Sequence, residues 1–131
     1  WAAYTPESDC GGFLLHLSTL AAHTRNLLAD PRAGLAISEP EREREDPQKL
    51  ARVMIQGKVA VISKSSADYQ EAVRRYQARL PDSTPRFEFG DFLLLRLTPI
   101  RIRLVGGFAR AHTLDSAALR AAAQSQPEDP A

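Results

Sequence analysis

Short apolar runs and alternating patterns dominate this chain, and helical spacing interrupts them. "FLLHLS" (13–18) is a mostly apolar run that ends at Ser18, the mark of a buried strand. The preceding "YTPESDCGG" holds Pro6, Asp9, Gly11 and Gly12 and predicts a hairpin connection. Immediately after the run, Leu20, Ala21, Thr24, Leu27 and Leu28 recur at helical spacing and predict a short helix over 19–29. Pro31 stops it, because the residue before a proline avoids the α region. "AGLAIS" (33–38) predicts the next strand. In "LARVMIQGKVAVIS" (50–63), Val53, Ile55, Val59 and Val61 share one face with Gly57, while Arg52, Met54, Gln56 and Lys58 point the other way. A glycine in mid-strand predicts a bulge or a close approach by another backbone.

The second helical stretch is 66–79, where Tyr69, Val73, Tyr76 and Leu80 form one apolar stripe. Ser66 is its expected N-cap, and Glu71 and Arg75 can pair on the wet face. Residues 81–90, with two prolines and Gly90, read as a loop. "DFLLLRLTPIRIRLV" (91–105) is a strand whose apolar phase changes inside it. Leu93, Leu95 and Leu97 are odd, whereas Ile100, Ile102 and Leu104 are even, and Pro99 marks the slip. A bulge or bend is expected there. Residues 106–115 allow a turn and a last short strand. Many strands with few helices give a mainly β, α+β fold, an antiparallel barrel with two or three short helices. We divide the chain into a barrel domain at 1–115, and a short helix with a disordered tail at 116–131.

At 131 residues the chain suits one domain. Its 17 basic and 16 acidic side chains nearly balance, which leaves no global field to steer nucleic acid or an anionic membrane. The charged run "EPEREREDPQ" alternates in sign and reads as a solvated loop at 40–47. The single cysteine, Cys10, cannot form an internal disulfide and reads as an unreactive free thiol. No stretch approaches the length of a membrane span, no signal-peptide pattern is present, and a cytoplasmic location is expected. The chain starts at Trp1 and reads as a piece of a longer protein.

Chemistry concentrates in "LHLSTLAAHTRN" (15–26), where a strand turns directly into a helix. The first amides of such a helix have no intrahelical partner, and the helix dipole makes the place favourable to an anion. Ser18 is either a plain N-cap or a donor to that anion. His23 and Thr24 can add donors, or stand as ordinary solvated helix residues. Arg52, on the neighbouring long strand, can supply a permanent charge. Arg96, Arg101 and Arg103 read as an exposed sheet face or an anion patch. His16, His23 and His112 lack metal-ligand spacing, and no dinucleotide, P-loop or nucleophile-elbow fingerprint occurs.

"LLHLSTLAAHTRNLLADPRAGLAIS", "RVMIQGKV" and "FEFGDFLLLRLTPIRIRLVGGFARA" together resemble the pyridoxamine 5'-phosphate oxidase-like FMN-binding split-barrel family, in its haem-utilisation-related branch. The resemblance covers roughly residues 4–115. It implies a split β-barrel that dimerises and holds FMN at the dimer interface, with two further strands ahead of residue 1. It places His16 and Leu17 against the flavin through backbone groups, Ser18, His23 and Thr24 on the phosphate side, and Arg52 as a polar flavin contact. Asn26 is a second-tier candidate. The expected function is an FMN-binding oxidoreductase with unknown substrate, the flavin carrying the redox chemistry. The alternative is a haem- or flavin-binding protein without turnover, with His112 as a candidate haem ligand. The outer faces of the strands, with Met54, Ala60 and Ile62, also call for a second layer, which a two-fold partner can supply.

Overall fold

The computed structural model describes residues 2–40, 50–106 and 110–124. The predicted charged loop from residue 41, the turn at 107–109 and the tail from 125 lie outside them. The strands are β1 (Thr5–Pro6), β2 (Phe13–Ser18), β3 (Arg32–Ser38), β4 (Arg52–Val61), β5 (Phe92–Gly106) and β6 (Arg110–Leu114). The helices are α1 (Ala22–Ala29), α2 (Tyr69–Arg79) and α3 (Ser116–Gln124), with a 3-10 helix at Pro81–Glu88. All strand pairs are antiparallel, in the order β1-β2-β5-β4-β3, and β6 also pairs with β5. On one edge β5 meets β4 along nearly its whole length. Its other edge meets β2 from Phe92 to Leu97 and then β6 from Ile102 to Gly106.

The phase change in β5 is a bulge. Opposite β4, Gln56 pairs with Arg101 and Gly57 with Pro99, so Ile100 is the extra residue. It points outward, 61% exposed. Leu95 and Leu97 before it and Ile102 after it therefore face the same core with Phe13, Leu15, Ile55 and Val59. Gly57 is required beside the bulge, because a Cβ there would overlap the Thr98 carbonyl oxygen.

The other face of β2 is also covered. Leu14 and Leu94 pack with Ile62, Ala72 and Tyr76, flanked by Tyr69, Val73, Leu80 and Phe87. The predicted α2 stripe thus lands on the sheet. The segment expected to be a loop at 81–90 is instead mostly the 3-10 helix. Pro81 opens it and side-chain hydroxyls of Ser83 and Thr84 return to the carbonyls of Leu80 and Pro81. It delivers Phe87 onto the His16 ring, stacked at 3.8 Å between centroids, with Tyr76 edge-on at 5.7 Å and Phe92 at 5.0 Å.

The N-cap of α2 differs from expectation. Ser66 does not cap α2; its hydroxyl donates to the carboxylate of Asp68, which occupies the N-cap position. Asp68 also accepts from Arg96, whose Nε donates to Glu7 at 2.5 Å. Arg96 therefore clamps the N-terminal hairpin and the start of α2 to β5, rather than standing on an open face. The predicted hairpin forms, with Cys10 in the left-handed region at φ 52°. Burial pushes the Cys10 thiol pKa up, which keeps it unreactive. At the C-terminal end, α3 brings Leu119 against the barrel core.

Two stability outcomes follow from this packing. Gly57→Ala destabilises the fold by about 1–3 kcal/mol in denaturant unfolding, the cost of overpacking. Gly34→Ala is near neutral, because its Cβ would meet only the Ile55 carbonyl oxygen at 3.8 Å. The second outcome concerns His16. Burial, with a smaller effect of the Arg86 charge, lowers its pKa from 6.5 to about 4, so the folded imidazole is neutral. The unfolded chain takes up that proton first as pH falls. Stability from this group is complete above pH 6.5 and is lost towards pH 4, by up to about 3 kcal/mol. In His16→Phe the melting temperature falls less between pH 7 and 5 than in the wild type; equal slopes would refute the assignment.

Candidate functional site

The strand-to-helix junction is real but is built differently from its expected form. β2 ends at Ser18, a turn follows, and α1 begins only at Ala22, with Ala21 as an N-cap that offers no side chain to the first amides. Ser18 instead shapes the turn. Its hydroxyl donates to the Asp91 carboxylate at 2.5 Å and accepts the Leu20 amide at 3.2 Å, while the Ser18 carbonyl accepts the Ala21 amide. A serine held by a carboxylate is poorly placed to receive an anion. Thr24 is completely buried, and its hydroxyl meets no partner among the described residues. Of the three expected phosphate-side residues, only His23 stands exposed on the first turn of α1.

The predicted helix stripe is also revised. Leu20 and Leu28 are exposed, and Leu27 carries the contact with the barrel. Leu20 falls in the turn ahead of α1, and within α1 Thr24 and Leu27 face inward while Leu28 stays outside. His16 and Leu17 diverge as alternation in a strand requires. The His16 ring turns to the aromatic cluster under α2, away from the junction, and its Nδ1 has no partner among the described residues. Leu17 faces the barrel side. There, Leu15, Leu17, Leu27, Leu35 and Leu97 line an open groove of about 490 Å³, with His23 and Asn26 also lining it from α1. Beyond Leu14, β2 pairs only with β5 among the described strands, so its other edge is open beside this groove.

Arg52 is not beside Ser18 in one chain. It pairs with Val105 at one end of the long strand pair, whereas Ser18 pairs with Phe92 at the other. Thirteen residues of β5 separate the two levels, roughly 40 Å at the rise of an extended strand. His112 lies opposite Leu104 in the β5–β6 register, and its side chain is outside the described positions.

Sequence reasoning missed a second groove on the opposite face of the sheet. Arg32, Gly34, Gln56, Lys58, Ile100 and Arg101 surround about 540 Å³ there. Arg32 is paired with Asp30 at 2.6 Å, and this contact lowers the Asp30 pKa to about 2. Lys58 and Arg101 meet no carboxylate among the described residues. The signal was present in the alternation of Gln56 and Lys58, but only the strand register brings Arg101 alongside. No group of His, Cys, Asp and Glu able to hold a metal ion occurs among the described residues, and no described helix is long and apolar enough to cross a membrane.

With this geometry in hand, comparisons place the chain. Its residues 1–119 match the family model "CREG, beta-barrel". The chloroplastic non-canonical heme oxygenase HOZ of Arabidopsis thaliana is 37% identical over 102 residues, 77% of this chain and 29% of that protein. A heme-binding protein from Mycobacterium smegmatis superposes with a TM-score of 0.81 at 29% identity, covering 92% of this chain and 48% of that one. HutZ of Vibrio cholerae, described as a heme storage protein, superposes with a TM-score of 0.66 at 21% identity over 75% of this chain and 68% of its own. The last likeness concerns the fold alone. The chain thus spans under a third of the plant relative and about half of the mycobacterial protein. The expected split barrel of the pyridoxamine phosphate oxidase-like kind stands, and the chain belongs to the CREG β-barrel family.

Proposed function

We propose that this chain binds haem, with the macrocycle against the apolar groove between β2, β3 and α1 and the His23 imidazole as its iron ligand. The carrying observation is the groove itself: five leucines and one exposed histidine. An apolar wall suits a flat macrocycle, and an imidazole suits its iron. The 37% identity with a haem oxygenase and the likeness to a haem-binding protein support the same ligand. His16, although closer to the strand end, is a core residue whose neutral ring is enclosed by Phe87, Tyr76 and Phe92.

This reading displaces FMN as the first choice of cofactor. The uncapped start of α1 leaves amides that an anion can use. However, Ser18 is committed to Asp91 and the Thr24 hydroxyl is buried, so the side chains expected around a flavin phosphate do not converge. Bound haem supplies the iron and any redox chemistry; the protein contributes ligation, burial and charge.

We also assign the working unit to a homodimer. Met54, Val61 and Ile100 stand exposed on β4 and β5, and a second copy is the common solution for such faces.

Titration of the protein with ferric haem tests the function. Saturable binding with a Soret band shifted to an imidazole-ligated position is expected, and His23→Ala abolishes that shift while leaving the thermal melt of the free protein unchanged. Absence of a saturable Soret change, or retention of a flavin absorption band by the purified protein instead, would overturn the assignment.

A further inference from the structure

The leucine groove and the cationic groove lie on opposite faces of the sheet, yet Ala33 and Gly34 line both. They belong to β3, the terminal strand of the sheet order. The two grooves therefore border the same edge strand, one on each of its faces. At the crossing point Gly34 carries no side chain, and a Cβ there would meet nothing closer than 3.8 Å. The edge is thus bare where the two grooves meet.

The chemistry of the two sides is complementary. On the inner side stand leucines and His23. On the outer side stand Lys58 and Arg101, adjacent through the pairing of Gln56 with Arg101 and the bulge at Ile100. Among the described residues, no acidic side chain lines the outer groove. Arg32, at its rim, already holds Asp30, so Lys58 and Arg101 are the cations available for a ligand. Gln56, opposite Arg101 and two residues before Lys58 on β4, adds a neutral donor.

We propose that Lys58 and Arg101 receive the carboxylates of the haem whose apolar body occupies the His23 groove, the carboxylate-bearing edge passing over β3 at Gly34. This inference rests on the haem reading above and adds to it an orientation: carboxylates outward over β3, apolar edge towards Leu15 and Leu97. Haem carries its two carboxylates on one edge of an otherwise apolar ring, and that distribution matches a leucine wall joined over one strand to a pair of cations. Exposed pairs of this kind contribute modestly and are screened by salt.

Equilibrium titration with haem and with haem dimethyl ester, which lacks the carboxylate charges, provides the test. Lys58→Glu and Arg101→Glu each weaken haem binding about threefold and the double variant roughly tenfold, the scale of exposed ion pairs. The same variants bind the ester as the wild type does. Arg74→Glu, which makes the same charge change as Arg101→Glu on α2, leaves haem affinity unchanged. Gly34→Leu, which fills the crossing, weakens both ligands. If the wild type binds haem and the double variant binds it within twofold, the orientation is wrong and the haem reading stands. If the ester and haem lose affinity equally in the charge variants, the orientation is also wrong. If the wild type binds no haem, both fall.

Discussion

The architecture depends on one extra residue opposite one missing side chain. β5 pairs with β4 along nearly its full length, and both strands must keep an apolar row turned inward. In β4 that row stays on odd positions from Val53 to Val59. In β5 it moves from odd Leu95 and Leu97 to even Ile102, which a regular strand cannot do because side chains alternate strictly. Ile100 absorbs the change as a bulge, and Gly57 gives the Thr98 carbonyl room to approach. A regular ladder would turn one half of β5 inside out. The bulge also carries β5 past the end of β2, where β6 takes over the same edge.

From this follows the layered cover of β2. Its Phe13 and Leu15 fill the barrel while Leu14 and His16 lie beneath α2 and the 3-10 helix. A strand buried on both faces has no solvent side for a polar residue. His16 is tolerated because it is neutral and stacked between aromatic rings. The same layer explains why Arg96, pointing to that outer face, is held by Glu7 and Asp68. Its charge is only partly exposed and needs partners.

The candidate site occupies the part of the sheet that this layer leaves uncovered. Helix α1 is short and offers a single buried residue, Thr24, with Leu27 half-buried, so the wall between β2 and β3 stays open. An edge strand with exposed Arg32, Gly34, Ala36 and Ser38 alternating with half-buried Ala33, Leu35 and Ile37 then divides an apolar side from a cationic one. A net charge of +1 conceals this arrangement, because among the described residues no acidic side chain lines the cationic groove. The local field at this groove comes chiefly from Lys58 on β4 and Arg101 on β5.

What the chain alone determined is whatever depends on neighbours along the sequence. Short apolar runs located β2 and β3, alternation located β4 and β5, the stripe of Tyr69, Val73 and Tyr76 located α2, and Gly57 with Pro99 announced the bulge. The tertiary structure decided whatever depends on a distant partner. Ser18 looks like a helix cap until Asp91, seventy-three residues away, takes its hydroxyl. The segment 81–88 looks like a loop because prolines signal a break, yet its Phe87 is held by the His16 ring. Arg52 looks like a neighbour of Ser18 until the register puts the two at opposite ends of β5. Lys58 and Arg101 are forty-three positions apart and become neighbours only because a bulge sets their register. Local spacing fixes which face a side chain occupies; pairing between strands fixes what it meets there.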